Sequence, residues 1–449
     1  MKRWLFILGG VCGVLLGLTL VAHRMGWISI PGLRQGFSPP QGWWTTEHGE
    51  TNTLEALQML GYLDGTEPPP PRVGVTTYVP ERVESGLNLV IGGHAAMARF
   101  IDMQGKEVHR WEAGFEEVWP GRAVIPKTRT HLYWRRVHLR PDGGLYAIFS
   151  HYGLVRLDVN SRIVWATDGW SHHDLDVGED GTIVTLCKTE GEINPAVDRK
   201  LPVLRDCVEW IDPETGNSLG KIDLIRALES SPYASLLQTP QETPDRLHAN
   251  TVVILDGRLG APFEKGRLLV SLRELDAVVV LDPATERVVW AKAGPWKRQH
   301  DPRPTDKNTL LVLDNQRTDT HSALIEIDPH TEKVVWEWQH ESFHTRILGA
   351  VRRLPGGNTL VAESTRGRAL EIAADGTIVW EWWNPERAGE QDEFIAALFD
   401  IERVTVTPDW LTDPDEPPVQ PLPKIPGEGQ ATPFDPLVEP LEPDVPPPH

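Results

Sequence analysis

HHDLDVGEDGTIVTL (residues 172–186) and QHDPRPTDKNTLLVL (299–313) superpose on their Thr-apolar-apolar tails, Thr182 over Thr309, and this lays His173 on His300. A looser match through the apolar run of LHANTVVIL (247–255) adds His248. A longer pattern surrounds these stretches: an apolar strand, a turn such as PDGG, DG or PGGN, a second strand, an apolar stretch ending in LD or EI, another turn, and a strand ending in VW. It reads through HLRPDGGLYAIFSHYGLVRLDVNSRIVWAT (138–167), RLLVSLRELDAVVVLDPATERVVWAKA (267–293), TLLVLDNQRTDTHSALIEIDPHTEKVVWEWQ (309–339) and RLPGGNTLVAESTRGRALEIAADGTIVWEWW (353–383). Four strands in about 40–50 residues is the signature of a β-propeller blade, in which equivalent positions lie on a ring about one axis.

Six such units start near Leu87, Tyr133, His172, His248, Gln299 and Gly349. The first lacks an inner strand, and FDIERVTVTP at 399–408 resembles the inner-strand sequence RRVHLRP of the second unit. The late strand is therefore predicted to complete the first blade, which closes the ring and removes exposed sheet edges. Trp165, Trp290, Trp336 and Trp380 recur at the end of the outer strand, a periodicity that assigns them to packing between blades.

The chain of 449 residues carries a formal charge of −20, and no basic face is evident, so the composition argues against nucleic acid as a partner. Lys2 and Arg3 precede an apolar run from Trp4 to Ala22, long enough to span a bilayer with the N-terminus inside. An uncleaved single-pass anchor is expected, with a cleaved signal peptide as the alternative. The remainder would then be exported, periplasmic in a Gram-negative cell. The predicted organisation is all-β: a membrane anchor at 1–26, a juxtamembrane stalk or cover with one short helix at 27–84, a six-bladed β-propeller catalytic domain at 85–410, and a disordered Pro-rich acidic tail at 411–449. Cys187 and Cys207 are the pair available to an exported domain, as a disulfide or as two buried thiols.

In a four-stranded blade the connection into the innermost strand and the turn after the second strand open on one face of the disc. His173, His248 and His300 stand at the start of innermost strands, and Arg273 follows the second strand of the fourth unit, so all four are predicted to point into one funnel. Asn250, two residues after His248, faces the same way because strand side chains alternate. Arg366, in the turn after another second strand, is placed at the rim. His172 is predicted to point away from its neighbour, and Asp174 and Asp301 to bond backbone or orient a ring. Three imidazoles with an arginine and an asparagine suit transfer of an anionic group through a covalent histidine, with guanidinium holding the oxyanion. They suit a metal less well, because the arginine would repel the ion. No metal and no cofactor is expected.

Together NLVIGGHAAMARFIDMQGKEVHRW, HHD at 172–174, LHANTV at 247–252, SLRELDAVVVLD at 271–282, QHDPRP at 299–304, LVLDN at 311–315 and RLPGGNTLVAESTRGRALEI at 353–372 resemble the periplasmic arylsulfate sulfotransferase family. The resemblance spans most of residues 80–385. It implies a six-bladed propeller that moves a sulfuryl group from an aryl sulfate donor to a phenol acceptor without a nucleotide. It further implies that His300 takes the group as a sulfohistidine in a ping-pong cycle, while His173, His248, Asn250 and Arg273 bind the sulfate oxygens or assist proton transfer. The 27-residue step from Arg273 to His300 omits a longer insertion that well-studied members carry there. The competing readings are a non-catalytic ligand- or protein-binding propeller at the membrane surface and a quinone-cofactor dehydrogenase. The sequence leaves the oligomeric state open.

Overall fold

Six sheets arranged in a ring account for almost all the strands in the computed structural model, which describes residues 64–124, 128–193, 202–239, 245–405 and 408–411. The chain divides into two units, Met1–Thr412 and Asp413–His449, and the second lies wholly outside the described residues, as do the predicted anchor and short helix. Among the described residues no helix is long and apolar enough to cross a membrane.

Blade 2 comprises Arg136–Leu139, Leu145–Phe149, Gly153–Leu157 and Ile163–Ala166. Blade 3 comprises Ser171–Val177, Ile183–Ile193, Pro202–Ile211 and Ser218–Asp223. Blade 4 is Ala249–Ile254, Leu268–Leu272, Ala277–Asp282 and Arg287–Ala293; blade 5 is His300–Pro304, Leu310–Asp314, Ala323–Ile327 and Val334–Trp338. Blade 6 is Ala350–Arg353, Thr359–Glu363, Arg368–Ile372 and Ile378–Trp383. Blade 1 takes Leu87–Gly92, Met97–Ile101 and Glu107–Glu112 from the start of the ring and Leu398–Val404 from its end, so the late strand closes the circle as the sequence predicts. The first strands of blades 2 to 6 and Leu398–Val404 abut one another in order, and Arg136 reaches Asp400 at 2.8 Å to complete the inner ring.

Asp-Gly turns close the first hairpins of blades 2 and 3 and the last hairpin of blade 6. Asp142, Asp180 and Asp375 accept the backbone N–H two residues on, and the glycine between adopts positive φ, as Gly143 does at 83°. Apolar side chains then pack between sheets, one cluster at each of the six junctions between consecutive blades. The tryptophans belong to these junctions. Trp165 donates to the Pro213 carbonyl of the next blade, and Trp380 to that of Met103. Trp290 packs among blade 5 residues, and Trp336 lies under the Arg353 guanidinium of blade 6. In blade 5 it is Trp338, two residues beyond the periodic position, that donates across the junction, to Gly376.

Two features add to the sequence reading. Gly74–Tyr78, within the stretch read as a stalk or cover, is a fifth strand on blade 6 and pairs with Ile378–Trp383. Its GVTTY sequence is short but β-branched, and it covers an edge that would otherwise be unpaired. Cys187 and Cys207, directly opposite on paired strands, form a disulfide.

Candidate active site

Each innermost strand runs into a turn closed by a backbone hydrogen bond from Arg140, Gly178, Leu255, Thr305 or Leu354 in blades 2 to 6. Counting five residues back along each strand gives Arg135, His173, Asn250, His300 and Gly349. His173 and His300 therefore do occupy one ring position. His248 sits two residues earlier in its blade, and the fourth polar member from the neighbouring blade is Arg135, which the sequence reading did not single out. The strands are bulged at this level in blades 3, 4 and 5. A bulge re-aims side chains and is a feature of strand ends next to sites. His173 and His248 consequently adopt left-handed backbone conformations, φ 55° and 48°, which non-glycine residues rarely hold. At Gly349 an added Cβ would meet Leu313, so blade 6 contributes no side chain to this ring.

His300 is held in one tautomer. Its Nδ1 lies 2.7 Å from Asn315 Oδ1 and 3.0 Å from the Arg298 carbonyl. The Asn315 amide cannot be turned over, because its Nδ2 donates to the carbonyls of Thr345 at 2.7 Å and Leu348 at 2.6 Å. Both neighbours of Nδ1 are thus acceptors, Nδ1 carries the proton, and Nε2 carries the lone pair. Burial pushes the imidazole well below its usual pKa and the nearby Arg273 guanidinium adds to this, against the Asn315 contact. The ring is neutral at physiological pH, the state in which imidazole is a nucleophile.

The other two predicted histidines lie in a buried network. His173 and His248 meet at a ring-centre distance of 4.9 Å. His248 Nδ1 faces Asp245 Oδ2 at 2.8 Å, and Lys188 Nζ joins Asp245 Oδ1 at 2.5 Å to Asp206 Oδ1 at 3.0 Å. His172 does not turn away from His173 as expected: the bulge brings their Nδ1 atoms to 2.7 Å, while His172 Nε2 lies 3.2 Å from Asp206. With the Asp206 carboxylate taking the Nε2 proton of His172, His172 Nδ1 accepts from His173 Nδ1, and Nε2 of His173 becomes its lone-pair nitrogen. Burial lowers the pKa of all three; for His248 the Asp245 carboxylate opposes it in part.

Arg273 opens a single helical turn, Arg273–Leu275, directly after the second strand of blade 4. It is buried and pairs with Glu274 at 2.8 Å, a carboxylate that also bonds Arg298. The same position in blade 3 is Lys188 and in blade 5 Asn315, so the residues that orient His248 and His300 come from a second ring. Blade 6 has Ser364 there. Arg366, two residues further, stays outside the His300 cluster: it donates to the Ser342 carbonyl at 2.5 Å and lies over Trp383. Asn250 is buried with its Nδ2 on the Gln299 carbonyl at 2.8 Å, so it braces the backbone next to His300. Arg135 is buried beside this group, its guanidinium 5.2 Å from the centre of the Phe399 ring.

The residues that follow Arg135, His173 and His300 belong to a separate charged layer. Arg136 contacts Asp174 at 2.7 Å, Asp400 at 2.8 Å and Asp301 at 3.3 Å; Arg303 and Arg352 complete the circuit through Asp301 and Asp400. Asp174 and Asp301 also accept backbone N–H groups of the next blade, from Val252 and Val351. This accords with the structural role expected for the two aspartates. Among the described residues no group of three or more His, Cys, Asp or Glu side chains is arranged to hold a metal ion.

The arylsulfotransferase (ASST) family model matches residues 149–385, more than half of the chain. No curated protein matches. Among solved structures, a protein of unknown function from Bacteroides caccae has TM-score 0.46 and 13% identity, covering 71% of this chain and 98% of that one. A selenomethionine-substituted virginiamycin B lyase from Staphylococcus aureus has TM-score 0.35 and 10% identity, covering 56% and 69%. A functionally unknown protein from Desulfotomaculum acetoxidans has TM-score 0.39 and 12% identity, covering 69% and 84%. At these scores the structural likenesses carry no functional argument.

Proposed function

This chain belongs to the arylsulfotransferase family, and from that premise we propose that it moves a sulfuryl group from a phenolic sulfate ester to a phenolic acceptor through a sulfohistidine at His300. The observation that carries the reading is the His300 tautomer. Nδ1 is committed to Asn315 and the Arg298 carbonyl, which leaves a neutral ring with its lone pair on Nε2.

In the first half of the reaction the Nε2 lone pair forms an N–S bond as the S–O(aryl) bond breaks, and the bonding pair leaves with the phenolate. In the second half the acceptor oxygen attacks sulfur, the N–S bond breaks, and its electron pair returns to Nε2. The acceptor's proton goes to Nε2 of His248, whose Nδ1 faces Asp245; the carboxylate stabilises the imidazolium so formed. Arg273, buried in the same site, holds sulfuryl oxygens, and His173 packs against His248 to fix its ring. The phenolate takes the proton back from His248 when the donor is a poor leaving group. The N-terminal apolar run carries this domain out of the cytoplasm, and the Cys187–Cys207 disulfide supports an oxidising compartment.

Initial rates of the full-length chain with 4-nitrophenyl sulfate and phenol test the cycle. Parallel double-reciprocal lines, with phenyl sulfate as product, are expected. Intersecting lines would remove the covalent intermediate, and no transfer across several aryl sulfates and phenols would remove the proposed reaction.

A further inference from the structure

Among the described residues, Arg135 is the one cation around His300 with no carboxylate at ion-pair distance. It occupies the ring position of His173 and His300, and its backbone N–H bonds the Ile148 carbonyl at 2.8 Å, which fixes the start of the strand. Its side chain is more than nine-tenths buried. Nε makes no hydrogen bond, and among the described residues no carboxylate lies within ion-pair distance of the guanidinium. Its charge bears on both His173 and His300.

Every other cation of the site is compensated. Lys188 is shared between Asp206 and Asp245, and Arg273 and Arg298 share Glu274. With the imidazoles neutral, four cations face three carboxylates, and the surplus of one positive charge rests on Arg135. A buried charge without a partner is costly unless a ligand supplies one. A sulfate monoester carries one negative charge, spread over three oxygens that a planar guanidinium can hold in pairs.

The geometry points to Arg135 as the residue that binds the oxygens of the transferring sulfuryl group beside His300, the singly charged sulfate ester answering the one surplus positive charge. This rests on the sulfuryl transfer proposed above and adds to it the group that selects the anion. Burial lowers the guanidinium pKa to about 10, with Arg136 adding to the effect. That leaves it charged at neutral pH and in want of an anion.

The test compares the full-length chain with Arg135→Met, Arg135→Lys and, as a control for loss of an exposed arginine, Arg258→Gln. Melting temperatures are read with and without inorganic sulfate, alongside kcat and KM for 4-nitrophenyl sulfate. For Arg135→Met we expect kcat/KM to fall on the order of 100-fold. Its melting temperature should be unchanged or higher, because an uncompensated charge is gone, and the sulfate-dependent rise seen in the wild type should disappear. Arg135→Lys should recover part of both, and it decides the matter if the methionine variant does not fold; Arg258→Gln should match the wild type. Three results would overturn the inference: an Arg135→Met protein that melts several degrees lower and still responds to sulfate, one that keeps kcat/KM within twofold, or a wild type that sulfate does not stabilise. If sulfate stabilisation depends on Arg135 while no variant and no wild type transfers sulfuryl groups, the anion site stands and the transfer reaction falls.

Discussion

Arg136 opens a strand and Arg135 immediately precedes it; the two are equally buried, and the fold treats them in opposite ways. Arg136 stands among Asp174, Asp301 and Asp400; burial works against its charge, but the three carboxylates outweigh it and raise its pKa. Arg135 pairs with none of them; Asp174 and Asp400 act on it only from beyond ion-pair distance, and burial together with Arg136 lowers its pKa. The contrast extends round the ring. The layer that contains Arg136 links arginines and aspartates of five of the six innermost strands, whereas the layer that contains Arg135 offers lone pairs and a charge with no carboxylate at ion-pair distance. A strand's period of two puts neighbours on opposite sides, so one short segment can both pin the propeller and present a reactive group.

The sharpest way to break the comparison is to remove its chemical member. His300→Ala should reduce sulfuryl transfer to the background rate with the melting temperature held within a few degrees, read as 4-nitrophenolate release in the presence of phenol. Next in size is the structural layer. Arg136→Met leaves three aspartates facing two arginines, and loss of one partner from a buried charge network costs about 3–5 kcal/mol. Chemical denaturation should show that loss, in contrast to the neutral or stabilising outcome expected at Arg135. Asn315→Leu removes the acceptor that fixes the His300 tautomer and should lower kcat on the order of 100-fold, by analogy with other hydrogen bonds that set a catalytic imidazole. A retained kcat would show that the Arg298 carbonyl alone suffices.

The smallest effect is on pH dependence. His172, His173, His248 and His300 all have folded pKa values below 6.5. The unfolded chain therefore binds more protons than the folded one between those values and 6.5. Stability is full above about pH 6.5 and falls as pH drops through that window, at no more than about 1.4 kcal/mol per pH unit for each histidine. Denaturation at pH 5 and pH 7 checks this. The rate of enzyme sulfurylation should be level from pH 6.5 to 8 and fall only on the acid side, where His300 Nε2 becomes protonated.

Much of this architecture could be read from residue patterns, because a propeller repeats its turn chemistry. The Thr-apolar tails placed His173 and His300 at one ring position, and the likeness of FDIERVTVTP to an inner strand anticipated closure by Leu398–Val404. What escaped has identifiable causes. Bulges shift strands by one or two residues without any mark in the apolar pattern, which is why His248 looked equivalent when Asn250 holds the register and why His172 was expected to face away. Arg135 lies in the unbulged blade 2, where counting back from PDGG finds it, but a search for histidines passes over an arginine. Asn315, by the same counting, is the blade 5 counterpart of Arg273, whereas Arg366 drew notice only by being basic near a turn. Asp206 and Asp245 had no sequence signal, since their role depends on which side chains the fold brings to Lys188 and His248.

The central claim is that one nitrogen, Nε2 of His300, carries the group in transit. The direct measurement is mass spectrometry of the full-length chain after brief exposure to 4-nitrophenyl sulfate, with His300→Ala treated in parallel. The account requires one sulfuryl adduct on the His300 peptide, missing from the variant and discharged by phenol. An adduct on another residue, or turnover with no adduct even when phenol is withheld, would contradict it.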